Sequence, residues 1–304
     1  MTMPNFLVIG AAKCGTDSLC DYIGQHPDIY MCPNREPNFF VAEGQGDIPF
    51  RGPGDREALR QWDMWVSSLE RYQVLFAGAS DEKAIGEGTT WYLYDERAPA
   101  RIRHHIPQAK LIAILRNPAD RAYSAHNMLL RDGREAIRDF AQALAAEDER
   151  VRAGWEPMWH YRRVGFYSNQ LKRYYELFDA AQIHVVLYDD FNAKPGDVLR
   201  DLFRFLQVDD QFEPDTSERH NVSLVPKYQT FHRLIAGQNL LKAAAKTVLP
   251  VGFRQRIKGN LVSRNLSRPE LLPTEIRQHL IEVFRSDILD LQTLIGRDLT
   301  RWLA

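Results

Sequence analysis

Cysteine is scarce: three in 304 residues, all within the first 32 positions. That number is too small and too odd for a disulfide framework. Cys14, Cys20 and Cys32 also lack a CxxC spacing or a neighbouring histidine ladder, so reduced, packed thiols are expected and a zinc site is not. An excess of one charge is missing too. The formal net charge is −1, which leaves no global footprint for nucleic acid or an anionic membrane; only a local basic site stays open. No apolar run approaches the ~20 residues of a membrane span. Phe6–Ile9 is too short for the apolar region of a signal peptide, so a cytoplasmic protein is expected. Internal repeats and low-complexity tracts are absent.

What remains is ordinary globular composition, 44% hydrophobic and 26% charged, in a chain long enough to bury a substantial core. Phe6–Ile9, Lys110–Leu115 and Ile183–Tyr188 read as buried strands, and Ala84–Thr89 as a shorter one. Helical stretches lie between and after them: Thr16–Gln25, Glu96–His104, Pro118–Leu130, Ile137–Arg152, Ser168–Phe178 and Gly196–Leu206. Continuous apolar strands alternating with helices predict an α/β fold, with a central parallel sheet covered on both faces. Gly44–Gly54 and Glu213–Pro226 read as loops. Ile276, Leu280, Phe284, Ile288, Leu291 and Ile295 recur at helical spacing near the C-terminus, with Thr274 as the expected N-cap.

The first strand runs into "GAAKCGTDS", where Gly10 and Gly15 have the spacing of a GxxxxGK[ST] phosphate loop. The lysine is displaced. Lys13 lies inside the turn, and Thr16 and Asp17 fill the slots of the nucleotide lysine and the Mg²⁺ hydroxyl. A kinase reading therefore loses both groups. Backbone N–H groups and the positive end of the helix dipole still make an anion site. An ordinary strand-to-helix turn fits the same residues.

"KLIAILRNPADRAYS" repeats the plan. Asn117 can cap a helix, Pro118 suits its first position, and Ser124 falls about 10 Å along it at ~1.5 Å per residue. Arg116 could fold back to share an oxyanion with that hydroxyl; a surface ion pair and a solvated serine are the alternative. Adjacent parallel strands would bring both anion sites to one sheet edge, where open α/β folds bind ligands. Two anion sites suit a nucleotide phosphorylated at both ends of its ribose.

These segments resemble the sulfotransferases that use 3′-phosphoadenosine 5′-phosphosulfate (PAPS), most of all the bacterial and heparan-sulfate-modifying branch. "AAKCGTDSL" is similar to that family's 5′-phosphosulfate loop and "LRNPADRAYS" to its 3′-phosphate motif. "NREPNFF" resembles its KEPxFF segment, and "GFYSNQLKRYYELF" its G-x-Y-x-x-x-L-x-R-[WY] helix. The likeness spans roughly Asn5 to Val208 and thins afterwards.

The resemblance implies one domain over residues 1–304 with the nucleotide-kinase-like fold of sulfotransferases. Residues 5–208 would be its nucleotide-binding core, and 209–304 a lid loop and C-terminal helices. It implies PAPS as co-substrate, PAP as product and no metal. The acceptor would be the hydroxyl, less readily the amine, of a carbohydrate or small molecule. A P-loop small-molecule kinase and a non-catalytic 3′-phosphoadenosine nucleotide-binding protein are the rival readings. By the same resemblance Lys13 would stabilise the departing oxygen and Glu36 would act as general base. Lys13, Cys14, Gly15, Thr16, Asp17 and Ser18 would hold the 5′ end, Arg116 and Ser124 the 3′ phosphate, and Tyr167 the nucleotide. Asp17 replaces a usual Thr or Ser, so its carboxylate must turn away from the phosphate. Arg35 replaces a lysine. "GEGTTWYLY" resembles the family's EKTPxY strand, but Gly88 stands where some heparan-type relatives have an acceptor-contacting lysine, which weakens the case for a sulfated polysaccharide acceptor. Glu87 reads equally as a second active-site carboxylate or a strand-end charge. Phe39 and Phe40 are expected in the core. Trp155, Trp159 and Tyr161 suit an acceptor ring or the core, and His220, Asn221 and Lys227 are candidates for a basic loop closing over the 3′ phosphate.

Overall fold

The computed structural model describes residues 2–45, 52, 65–217, 225–226, 266–267 and 270–304. The four apolar runs form strands: β1 (Phe6–Gly10), β3 (Ala84–Gly88), β4 (Lys110–Leu115) and β5 (Ile183–Leu187). A fifth strand, β2 (Ile29–Met31), has only three residues and no apolar run to announce it. The sheet order is β2-β3-β1-β4-β5 and every pairing is parallel. Phe6 pairs with Gly86 on one side and Lys110 on the other, so β1 is central and β4 is its neighbour. All five β1 residues are buried, as expected of a strand covered on both faces. Gly86 makes room for a ring: a Cβ there would sit 2.4 Å from the Phe6 side chain.

The helix after β1 runs Thr16–Ile23, two residues shorter than expected. Gly24 ends it where Met31 and the Cys20 carbonyl leave about 3.1 Å for a side chain. The helix after β4 runs Pro118–Arg131, and the Asn117 side chain accepts from the Ala119 and Asp120 N–H groups at its start. The stretch 137–152 is not one helix. It splits into Phe140–Ala145 and Glu147–Arg152. Asp139 caps the first, and the acidic run Glu147–Glu149 fills the first turn of the second, where carboxylates meet the positive helix end. Ala98–His105, Tyr167–Tyr175 and Pro195–Leu206 lie close to their expected places.

The last helix runs Thr274–Ile295. Thr274 is its first residue rather than its cap. Pro273 takes the cap position and no side chain bonds there. Phe284 of this helix packs on Phe166 with ring centroids 5.1 Å apart. Asp287 accepts from the Ser168 hydroxyl at 2.5 Å and from its N–H at 3.2 Å. Gly165 lies so close that a Cβ would meet Phe284 at 2.8 Å and Pro118 at 3.0 Å. The C-terminal helix thus clamps the start of the Pro118–Arg131 helix. Among the described residues no helix is long and apolar enough to cross a membrane.

Gly86→Ala should test how closely β1 and β3 are fitted. The added methyl overlaps the Phe6 ring, and overpacking of this kind costs about 1–3 kcal/mol. Denaturant unfolding should show a lower midpoint at an unchanged slope; an unaltered midpoint would mean the ring moves aside freely.

Candidate active site

β1 and β4 each end in a loop that turns into a helix, and both turns lie at the same edge of the sheet. In the first turn the Ala11 N–H donates to the Ile114 carbonyl at 2.9 Å, tying it to β4. Gly15 has φ 93 and Lys13 φ 70. Glycine adopts that region freely, while a lysine there costs roughly 1–3 kcal/mol. A Cβ on Gly15 would also meet the Tyr188 ring at 3.2 Å. Thr16 is buried at the start of the helix, with Asp17 and Ser18 half-buried behind it. Cys14 is fully buried, its sulfur 3.7 Å from the Tyr167 hydroxyl. Tyr167 is itself fully buried, so it supports the turn from beneath rather than lining an open surface.

The Lys13 ammonium meets the Met128 sulfur at 3.2 Å. Burial lowers its pKa; Arg131 and Arg116 push the same way, while Asp17 and Asp132 oppose them. Arg116 stacks over the Tyr188 ring, 4.8 Å from its centroid. Ser124 is buried on the Pro118–Arg131 helix and is not hydrogen-bonded to Arg116. Among the described residues neither Lys13 nor Arg116 has a carboxylate within 4.0 Å, although twenty other lysine or arginine ion pairs are formed. Asp17 instead faces Arg35 at 4.0 Å, and Arg35 bonds Asp21 at 2.5 Å. His220, Asn221 and Lys227 lie outside the described residues.

Glu36 sits in a loop that β3 holds in place. Its N–H donates to the Gly88 carbonyl at 3.2 Å, and its Oε1 accepts from the Thr90 hydroxyl at 2.7 Å. Glu36 (φ 52) and Asn38 (φ 56) are both left-handed, and the Asn38 side chain bonds the Glu36 carbonyl at 2.5 Å. Burial raises the Glu36 pKa and the Asp17 and Glu156 carboxylates add to it, while the Thr90 bond opposes. Phe39 and Phe40 are fully buried, as expected.

Glu87 is neither exposed nor at the cleft. It is completely buried, and accepts from Tyr72 (3.0 Å), Tyr92 (2.6 Å) and Thr89 (2.8 Å) hydroxyls. Burial lifts its pKa to about 7 against those three bonds. Gly88 lies against α-helical Cys20: a Cβ would fall 2.6 Å from the sulfur, so no side chain fits there without moving it.

Two cavities flank Thr90 and Trp91. The smaller, of about 290 Å³, touches Thr16 of the first turn as well as Glu36, Asp17, Asp21 and Arg35. The larger, of about 800 Å³, has Trp65, Trp91, Tyr94 and Phe166 among its walls, with His160 and Asn169. Of the three aromatics named from sequence, Trp159 and Tyr161 are core and Trp155 is half-buried; none lines either cavity.

Sequence reading overlooked Thr90, Met128 and Tyr188. Thr90 stood in a quoted motif and had a hydroxyl; its contact depends on how the loop after β3 turns. Tyr188 looked like the end of a strand, yet its ring lies against Gly15 of the first turn and Arg116 of the second. No spacing rule marks a contact of that kind.

Comparison with known proteins places these features. The model of the sulfotransferase family matches residues 4–214. A solved sulfotransferase from Alicyclobacillus acidocaldarius is 34% identical, with a TM-score of 0.77 over 100% of both chains. The bifunctional heparan sulfate N-deacetylase/N-sulfotransferase 1 of Xenopus laevis is 30% identical over 213 residues, 67% of this chain and 22% of its own. The corresponding enzyme 3 of Mus musculus is 27% identical over 213 residues, 68% of this chain and 22% of its own. This chain thus spans 22% of the length of those two curated relatives. The matched span covers both anion loops, Glu36 and the whole parallel sheet, and the chain belongs to the family of PAPS-dependent sulfotransferases.

Proposed function

We propose that the chain transfers the sulfuryl group of PAPS to a hydroxyl of a carbohydrate or other small acceptor, an amine being the less favoured nucleophile. One observation carries this reading: two cations without carboxylate partners among the described residues, Lys13 and Arg116, at the ends of adjacent parallel strands. A nucleotide with a phosphate at each end of its ribose fits that pair of sites. Its 5′ end would meet the backbone N–H groups from Cys14 to Ser18 and the Thr16 and Ser18 hydroxyls, with Arg116 and Ser124 on the 3′ phosphate. Tyr167 would act through Cys14. Residues 5–208 would be the nucleotide-binding core, and a segment within 209–304 that includes Lys227 would close over the 3′ end.

When bound, the co-substrate supplies the sulfuryl group and the oxygen that departs with the nucleotide. Lys13 places positive charge where that oxygen gains negative charge, which stabilises the transition state more than the ground state. Glu36 takes the acceptor proton. The Thr90 hydroxyl holds its Oε1 at 2.7 Å and so fixes the carboxylate beside the cavity where the acceptor would enter. The raised pKa makes it a stronger base than an ordinary glutamate. The rest is positioning and electrostatics, as in phosphoryl transfer. A kinase would need a lysine and a metal hydroxyl where Thr16 and Asp17 stand, and a nucleotide sensor would need no base at Glu36.

The smaller cavity touches both the first turn and Glu36, so the reacting end of the acceptor belongs there. Its charged walls are three carboxylates and one arginine, and the arginine is already drawn to Asp21. We therefore propose an acceptor without dense negative charge, its ring lying along Trp91 and Tyr94 of the larger cavity.

Three outcomes test these proposals. With labelled PAPS and an acceptor panel, Lys13→Ala should lower turnover about 10²–10³-fold and Glu36→Gln about 10²–10⁴-fold; full activity in either overturns the assignment. The pH profile of kcat/KM should be narrow. Glu36 acts ionised and its pKa is raised, so activity is lost on acidification above the usual glutamate range; Lys13 acts protonated and its pKa is lowered, so the alkaline limb lies below the usual lysine range. Limbs at the ordinary values would contradict both roles. Among acceptors, neutral sugars should outperform polyanionic oligosaccharides, and Asp17→Asn should shrink the gap; equal rates on both classes in the wild type would sink the acceptor proposal alone.

A further inference from the structure

Glu87 lies one strand-end away from the base, yet none of its atoms reaches solvent. Its surroundings run to the Glu36 loop by three separate routes. The Thr89 hydroxyl donates to Glu87 at 2.8 Å, which leaves its oxygen to accept the Asn38 N–H at 3.3 Å. Tyr72, which donates to Glu87, stacks on Phe39 with centroids 4.4 Å apart. Tyr92, the third donor, meets the Phe40 ring edge-on at 5.3 Å. Asn38, Phe39 and Phe40 directly follow Glu36-Pro37, and the Asn38 amide bonds the Glu36 carbonyl. Glu36 and Asn38 hold left-handed backbone conformations that an asparagine tolerates and a glutamate resists, so the loop needs outside fixation.

We propose that Glu87 is a positioning residue for the transfer reaction, whose caged carboxylate orients Thr89, Tyr72 and Tyr92 so that they hold the Glu36 loop in its working geometry. The inference rests on Glu36 being the base of the proposed reaction. The direction of each bond matters. Three hydroxyls converge as donors on the two oxygens of Glu87, and the Thr89 hydroxyl that gives its proton there presents a lone pair to the Asn38 N–H. An amide in its place would offer a donor to one hydroxyl and reverse that link. A carboxylate buried against three donors is also far more sensitive to a missing partner than an exposed one.

Glu87→Gln, Thr89→Val and the double variant should be compared with the wild type in kcat, KM for PAPS, PAP affinity by calorimetry and thermal midpoint. Misplacing a base by a fraction of an ångström lowers turnover steeply, so each single variant should lose about tenfold to a hundredfold in kcat. PAP affinity and KM for PAPS should stay within about twofold, because the anion loops are untouched. The double variant should be no slower than the worse single one, since both cut the same link. Thr89→Val leaves Glu87 with both tyrosines, and so gives an answer even if Glu87→Gln folds poorly. Wild-type kcat in Thr89→Val, or losses that multiply in the double variant, overturns the proposal. Absence of PAPS turnover in the wild type would instead sink the function reading.

Discussion

Everything in this molecule is arranged around the adjacency of β1 and β4. Because the two strands are parallel neighbours, their C-terminal turns open side by side, and each turn carries one cation without a carboxylate within 4.0 Å among the described residues. Two like charges partly withdrawn from water repel, and Arg116 helps to hold the Lys13 pKa down. The fold accepts that repulsion. The Tyr188 ring stacks under Arg116 and would meet a Cβ on Gly15 at 3.2 Å, at a residue whose φ of 93 already favours glycine. On the proposed reading, a doubly phosphorylated nucleotide would relieve the repulsion at both points together. A singly phosphorylated one would leave one cation uncompensated, which is a physical reason for a preference between the two.

Most of this was legible in the sequence because the signals were local. Continuous apolar runs marked four strands, and Asn117-Pro118 marked a helix start that the structure forms as read. What escaped had no local signal. β2 is three residues long and takes its place by pairing with β3, not by its own pattern. The 137–152 stretch has helical periodicity throughout, but Asp139 and the acidic run at 147 start separate helices, and capping outweighs periodicity there. Thr274 looked like a cap by residue type, yet the preceding proline already sets an extended entry.

The site divides in the same way. Lys13, Glu36 and Arg116 were singled out by motif resemblance, but the groups they touch in the structure were not. Thr90 reaches Glu36 across 54 residues of sequence and Met128 reaches Lys13 across 115. Glu87 was undecidable from sequence because a strand-end acid and a buried one look alike; three hydroxyls contributed from two segments settle its place. Phe39 and Phe40 illustrate the point from the other side. Their burial follows from hydrophobicity, whereas their service as struts between Glu36 and the Glu87 tyrosines follows only from the ring geometry.

The three departures from the family pattern, at positions 17, 35 and 88, lie together around one cavity. At position 88 a side chain would collide with Cys20, and Cys20 belongs to the helix that carries Asp17 and Asp21. A lysine could not be restored there without moving the Cys20 sulfur. Asp17 meanwhile turns to Arg35, which also holds Asp21. The loss of a cation at 88 and the gain of a carboxylate at 17 therefore act in the same direction on the cavity beside Glu36. They lower its positive potential, while neither Lys13 nor Arg116 has a carboxylate within 4.0 Å among the described residues. On the proposed reading charge would thus be separated across the line of transfer, cationic where the nucleotide departs and acidic where the acceptor enters. A polyanion would be attracted to the first region and repelled from the second, so the same field that suits the donor argues against a highly charged acceptor.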